Sequence, residues 1–266
     1  MKALRALVAA QDAHLPCVLV QIVGVNGSTP RAGGARMLVY ADGAIVGTIG
    51  GGELEHRLIA EALAALQEGR PRRFAAHLTR DLGMCCGGAV EAFVEPFLPP
   101  ERLIILGGGH VGAATAMAAA PLGFEITVVD AREQWLEASR FPPGTTRLLA
   151  EPDTALDRLP LGPRTAVLVV THAHALDQRL VEALLPRDLL WLGLIGSKAK
   201  VARFRLRLEA GGMDPALFAR LQGPVGLDLG AETPEEIAIS IVAELIWRRR
   251  GARNPPLPFS RAERGP

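Results

Sequence analysis

The sequence predicts an α/β protein in two parts: an N-terminal α+β domain over residues 1–98, then a parallel-sheet domain over residues 101–251. Three observations predict it. The 266 residues exceed the usual size of one domain. In the rear half, continuous apolar runs (RLIIL, EITVV, TRLLA, TAVLVV, LLWLGLI) alternate with helical stretches, the pattern of a parallel sheet covered on both faces. In the front half, apolar runs pair across short turns instead, and Leu98-Pro99-Pro100 beside Glu101-Arg102 breaks the two patterns apart.

The front elements follow in order. Residues 2–13 have helical spacing, with Leu4, Leu7 and Val8 on one face. CVLVQIVGV (17–25) reads as a buried strand, and NGSTPRAGG (26–34) as the loop after it. ARMLVYA and AIVGTIG flank Asp42-Gly43, a hairpin signal because both residues tolerate positive φ. After Gly50-Gly51-Gly52 a helix carries Leu54, Leu58, Ala62 and Leu66 in one stripe and ends at Gly69. RRFAAHLTRD and GAVEAFVEPF then read as two strands around the turn LGMCCGG.

In the rear half, strand RLIIL runs into Gly107-Gly108-Gly109-His110-Val111-Gly112 and then an Ala-rich helix. Gly107 suits the tight turn, Gly109 lets backbone approach a pyrophosphate, and Gly112 lets the helix pack closely on the sheet. The next strand ends in Asp130, 18 residues past Gly112, where an acid can bond a ribose hydroxyl. Residues 103–130 therefore read as a Rossmann-like βαβ unit. Whether a dinucleotide occupies it stays open, because His110 is bulky for the phosphate turn and Arg132 suits either a 2′-phosphate or solvent. Thr233, Pro234 and Glu236 mark the start of the last helix with a capping box, and Arg248-Arg249-Arg250 suit its negative end. Residues 252–266, rich in Pro and Arg, read as a flexible tail.

A formal net charge of +1 gives no case for nucleic acid or an anionic membrane as partner. No stretch reaches 18 uninterrupted apolar residues, and the N-terminus is too short and polar for a signal sequence. Three cysteines, two of them adjacent, make no disulfide framework, which points to a reduced, cytoplasmic protein.

Cys85-Cys86-Gly87-Gly88 is the most chemical segment of the front half. Glycines leave thiols accessible, and turn amides stabilise a thiolate acting as soft ligand, sulfur carrier or nucleophile. The plain alternative is a pair of small buried hydrophobes, the role assigned to Cys17. Two ligands cannot make a zinc site, so no metal site is expected. Asn26-Gly27-Ser28-Thr29-Pro30-Arg31 combines hydroxyls, amides and a guanidinium suited to phosphate. Gly50, Gly51 and Gly52 place open N–H groups at a helix start. In the rear half, His172 and His174 point the same way if their strand continues, with Asp177 suited to capping. Gly196-Ser197-Lys198-x-Lys200 is either a phosphate contact or a solvated helix start. His14, His56 and His77 read as structural.

These residues, taken in order, resemble the XdhC/CoxI family, accessory proteins for molybdenum hydroxylases such as xanthine dehydrogenase. The resemblance spans nearly the whole chain. It includes Gly27 to Arg31, Gly47 to Glu55, Cys85 to Gly88, Gly107 to Gly112 with Asp130-Ala131-Arg132, and Thr171-His172-x-His174-x-x-Asp177. It continues through Gly193 to Lys200, Pro224 to Asp228, and Thr233 to Ala238. The doubled cysteine is more similar to the XdhC branch.

The resemblance implies a maturation chaperone rather than a metabolic enzyme. Such a protein binds molybdenum cofactor (molybdopterin) and holds it while a cysteine desulfurase supplies the terminal sulfido ligand. It then inserts the cofactor into xanthine dehydrogenase or a related molybdenum hydroxylase. On that view Cys86, then Cys85, handles the cofactor or sulfur. Ser28, Thr29, Arg31, Gly50, Gly51, Gly52, Gly107, Gly109, His110, Gly112, Asp130, His172 and His174 are the candidate cofactor contacts. A second copy of the chain is a further candidate partner. The residues read for themselves leave an alternative open, an NAD(P)-dependent oxidoreductase using the Gly107 turn and Asp130. A scaffold with empty sites is a third.

Overall fold

The computed structural model of the chain describes residues 1–85 and 87–250, so Cys86 and the tail expected at 252–266 lie outside the described residues. Two compact units divide at Pro99 and Pro100. Among the described residues no helix is long and apolar enough to cross a membrane.

The front unit opens with helix α1 (Lys2–Asp12), then strands β1 (Cys17–Asn26), β2 (Arg36–Tyr40) and β3 (Ile45–Gly47). Helix α2 (Gly52–Glu68), strand β4 (Arg72–His77), the short helix α3 (Leu78–Leu82) and strand β5 (Ala89–Phe97) complete it. The strands form an antiparallel sheet in the order β3-β2-β1-β5-β4. Leu54, Leu58, Ala62 and Ala65 of α2 close over Val18, Val20, Ile22, Met37 and Val94 on one face of the sheet.

Two expectations are corrected here. The stripe that α1 lays on the other face is Ala3, Leu7 and Ala10, against Cys17, Leu19 and Leu38, while Val8 is 57% exposed. Alanines at both ends of that stripe let the helix sit closer to the sheet than branched residues would. The strand expected over 72–81 stops at His77 and turns into α3. His77 Nδ1 accepts from Arg80 N, and Asp81 Oδ2 accepts from His77 N at 2.8 Å. This reciprocal cap satisfies the donors that a helix start leaves open, which a continued strand would have required from a neighbour.

The rear unit contains strands β6 (Arg102–Leu106), β7 (Glu125–Asp130), β8 (Thr146–Leu149), β9 (Thr165–Val169), β10 (Trp191–Leu194) and β11 (Leu221–Gln222). Its helices are α4 (His110–Ala119), α5 (Pro152–Ala155), α6 (His174–Leu184), α7 (Lys198–Ala210) and α8 (Pro234–Arg249). The strands form a parallel sheet in the order β11-β10-β9-β6-β7-β8. Counted within the unit, that is 3-2-1-4-5-6 read from the other edge, the doubly wound Rossmann order. Helices α4 and α8 cover one face, and α5, α6 and α7 the other. Leu103 to Leu106 and Ala166 to Val169 are all buried, as expected of strands covered on both sides. Strand order reverses between β6 and β9, so the loops after these two strands flank the usual ligand crevice. The capping box of Thr233 and Glu236 starts α8.

Gly112 sets how closely α4 approaches the sheet. A methyl group there would fall 2.0 Å from the Gly107 carbonyl oxygen, a backbone atom that cannot swing aside. Gly112→Ala is therefore expected to destabilise the protein by about 1–3 kcal/mol. The result would be a lower urea midpoint for the rear unit's unfolding transition at unchanged slope.

Candidate functional site

In the front unit, three segments remote in sequence meet. They are the turn after β1 (residues 26–31), the segment from β3 to α2 (48–52), and the segment from α3 to β5 (83–88). Gly88 N donates to Ser28 O at 3.1 Å, and Leu78 N donates to Gly88 O at 2.8 Å. A Cβ on Gly88 would lie 2.4 Å from Ser28 O and 2.6 Å from Asn26 O, so only glycine permits this approach. A Cβ on Gly50, at φ +131°, would lie 2.7 Å from Pro30 Cβ. Gly88, three residues after Cys85, is thus held against Ser28 by backbone contact, and Gly50 packs against Pro30 and Arg31.

Cys85 is exposed there, while Cys17 is fully buried in the core, where burial pushes its thiol pKa up. Ser28 and Arg31 are at the surface, and Thr29 turns its hydroxyl back to donate to Arg31 O at 2.9 Å. The amides expected to be open at Gly50 and Gly51 are already used. Gly50 N donates to Thr48 Oγ1 at 3.2 Å, and Gly51 N to Glu55 Oε2 at 3.3 Å. Glu55 Oε2 also accepts from Thr48 Oγ1 at 2.6 Å and Ile49 N at 3.2 Å. Anion contact at this loop is therefore left to Gly52 and the first turn of α2, which has no side-chain cap. Glu55 was not singled out from sequence, although its place four residues past Gly51 on a helix start was the available signal.

In the rear unit, Gly107 (φ +122°) ends β6 and Gly109 caps α4. Nothing lies within 4 Å of a Cβ position on Gly109, so its backbone is open to a close approach. Asp130, only 4% exposed, does not offer a free carboxylate. It accepts from Gly108 N at 2.8 Å, Arg132 N at 3.0 Å, and the Arg132 guanidinium through Nε and Nη2, both at 2.9 Å. Burial pushes its pKa up, but the Arg132 guanidinium and the two backbone donors together hold it below the usual carboxylate range. The Trp135 ring has the guanidiniums of Arg132 and Arg140 over it, 5.2 and 4.6 Å from its centre, with His110 edge-on at 5.0 Å. Arg140 also donates to Gly108 O at 3.3 Å. This cluster around the glycine turn was not legible in the sequence, because Trp135 and Arg140 fall in single 3-10 turns, Glu133–Trp135 and Ala138–Arg140, too short to show a period.

The loop after β9 departs from expectation as well. β9 ends at Val169, so His172 lies in a bend and His174 opens α6, and strand alternation does not align them. Both are exposed. Asp177, 1% exposed, accepts from Thr171 N at 3.2 Å, Thr171 Oγ1 at 2.6 Å and Lys200 Nζ at 2.5 Å. Lys200 also donates to Ile195 O at 2.9 Å. Lys200 is therefore half of a buried ion pair joining the loops after β9 and β10, which departs from both readings of it, phosphate contact and solvated helix start. Ser197 caps α7 by accepting from Lys200 N at 3.2 Å. Among the described residues, no three His, Cys, Asp or Glu side chains come together as a metal site would require.

Comparison with known proteins matches residues 103–245 to the XdhC Rossmann domain and residues 10–79 to the XdhC and CoxI family. The Escherichia coli (strain K12) protein YqeB, itself uncharacterized, is 42% identical over 91% of this chain and 45% of its own length. A Bacillus subtilis (strain 168) protein described as a probable xanthine dehydrogenase subunit is 36% identical over 59% of this chain and 46% of its own length. The chain thus spans about half the length of these two relatives. The molybdenum cofactor insertion chaperone PaoD of Escherichia coli (strain K12) is 23% identical over 91% of this chain and 86% of its own length. A crystal structure described as a xanthine dehydrogenase from Bacillus halodurans superposes with a TM-score of 0.53 at 27% identity, covering 98% of this chain and 99% of that one. The chain belongs to the XdhC and CoxI family.

Two outcomes test the internal pairs. Asp130 has a lowered folded pKa, so its contribution to stability is present above about pH 4 and lost as pH falls through the folded value. Asp130→Asn is expected to lower stability most at neutral pH, with the gap to the unaltered protein closing below about pH 4 in a series of denaturation curves. Lys200→Ala leaves Asp177 buried without its cation and is expected to cost about 3–5 kcal/mol. Adding Asp177→Asn should recover part of that loss in the same assay.

Proposed function

We propose that this member of the XdhC and CoxI family is a cytoplasmic maturation factor for a molybdenum hydroxylase, xanthine dehydrogenase or a related enzyme. It holds molybdenum cofactor as cargo, keeps it while a cysteine desulfurase supplies the terminal sulfido ligand, and passes it to the client. The likeness to a molybdenum cofactor insertion chaperone and to a probable xanthine dehydrogenase component supports this reading. The observation that carries it is exposed Cys85, three residues before the Gly88 that backbone contact fixes against Asn26 and Ser28.

The donors there suit such a cargo. Molybdenum and its sulfido ligand are soft partners for a thiolate, and a pterin phosphate is a partner for Arg31 and the Ser28 hydroxyl. Gly87 and Gly51 have nothing within 4 Å of their Cβ positions, so a flat ligand can lie against the backbone beside them. Cys85 and Cys86 would hold the metal or sulfur end, and Arg31 with Ser28 the phosphate end. The alternative of NAD(P)-dependent hydride transfer draws no support from the rear unit, because both Asp130 oxygens are engaged by Gly108 and Arg132.

The full chain, loaded with molybdenum cofactor and desalted, should retain molybdenum measurable by elemental mass spectrometry and activate an apo molybdenum hydroxylase. Cys86→Ser is expected to weaken retention about tenfold, near 1.4 kcal/mol of binding, and Cys85→Ser by less. Undiminished retention and activation by the Cys85→Ser/Cys86→Ser double variant would remove the cysteines from the role.

A further inference from the structure

Helices α6 and α7 begin side by side at the carboxyl ends of β9 and β10, and a cavity of about 390 Å³ lies between the first turn of α6 and the first three turns of α7. His174, Ser197, Lys200, Arg203, Phe204 and Arg207 account for most of its wall, and no carboxylate lines it. The carboxylate nearest Lys200, Asp177, is already neutralised by that lysine. Arg203 is exposed and has no hydrogen-bond or ion-pair partner among the described residues. Arg207 spends one nitrogen on Gln178 Oε1, at 3.2 Å, and keeps the rest of its fork.

These features combine in one direction. Arg203 and Arg207 stand four residues apart on α7, so their side chains rise from neighbouring turns of one face and can reach a single ligand. Arginine forks match the oxygens of phosphate bidentately, which a lysine cannot do. Across the cavity, α6 starts at His174 with no side-chain cap, which leaves its first N–H groups to an outside partner, and His174 and Ala175 of that turn line the cavity. Phe204 and Ala175 add apolar wall, giving room for an organic group beyond the anion. Such a volume exceeds what an inorganic anion fills, and the cavity lies beyond the carboxyl ends of β9 and β10, one strand along from the switch point between β6 and β9.

We propose that this cavity of the rear unit binds a phosphate-bearing small molecule, its phosphate held by Arg203, Arg207 and the start of α6. The site is separate from the cysteine turn and does not depend on the molybdenum reading. A carboxylate offers one planar pair of oxygens and satisfies one fork, whereas a phosphate satisfies both forks and the helix end together.

Calorimetric titration of the full chain with inorganic pyrophosphate, inorganic phosphate and acetate, at one fixed ionic strength, tests this. Pyrophosphate and phosphate should bind more tightly than acetate. Arg203→Glu/Arg207→Glu should weaken pyrophosphate binding by at least about tenfold, and Arg203→Ala, which breaks no internal contact, by about threefold. Arg205→Glu serves as the control for net charge, since Arg205 pairs with Glu209 and does not line the cavity. Circular dichroism establishes that each variant is folded; if the double variant is not, Arg203→Ala decides. Phosphate binding no tighter than acetate, or an equal loss with Arg205→Glu, would overturn the proposal.

Discussion

Backbone touching backbone, with no Cβ between, is the constraint on which both units depend. At Gly88 it lets the chain after the cysteine turn lie against Asn26 and Ser28, with one N–H···O bond to fix the register. At Gly112 it lets the first turn of α4 rest on the carbonyl of Gly107. Neither contact is strong in itself, since a neutral hydrogen bond contributes roughly 1 kcal/mol. Their importance is geometric. A methyl group at either place would force two segments apart, and everything positioned by those segments would move with them. In the front unit that includes Cys85, Ser28 and Arg31; in the rear unit it includes the glycine turn and the open backbone at Gly109.

Three carboxylates then decide which polar groups remain for a ligand. Glu55 gathers Thr48, Ile49 and Gly51; Asp130 gathers Gly108 and Arg132; Asp177 gathers Thr171 and Lys200. Bonds to a charged acceptor contribute about 1.5–3 kcal/mol each, enough to hold loops that have few apolar contacts. The same bonds withdraw from use several donors that phosphate would otherwise seek. Among the described residues, those left available include Cys85, Ser28, Arg31 and the start of α2 in front, and the Gly109 backbone, Arg203, Arg207 and the start of α6 behind.

These internal pairings bear on what the sequence could and could not disclose. Hydrophobic period is a local property, so the parallel strands, the α2 stripe and the capping box of α8 were legible directly from residue spacing. The Gly107–Gly112 turn was equally legible, because its three glycines answer three separate backbone demands within one short stretch. Lys200 was not. Its partner Asp177 lies on another helix, and a lysine after a glycine and a serine looks the same whether its ammonium faces water or a buried acid. Leu78–Leu82 misled for a related reason: Leu78 is fully buried and fits a strand, and only the reciprocal bonds of His77 and Asp81 turn the chain into a helix. Arg203 and Arg207 carried a signal, two arginines one helical turn apart, but it acquires meaning only beside the uncapped start of α6.

In the proposed function the chain is a carrier, and a carrier differs from an enzyme or a storage protein in what it needs from affinity. Cargo must be held long enough for its chemistry to be completed and then leave without unfolding its holder. Groups buried in a core would hold well but release slowly, because departure would have to break packing worth several kcal/mol. Cys85, Ser28 and Arg31 are instead surface groups beside segments already tied down by the Gly88 contact and the Glu55 hydrogen bonds. Preorganisation of that kind removes the entropic cost of ordering loops on binding, while exposure leaves a client enzyme free to compete for the same ligand face. A core-buried thiol such as Cys17, whose burial disfavours the thiolate, meets neither requirement.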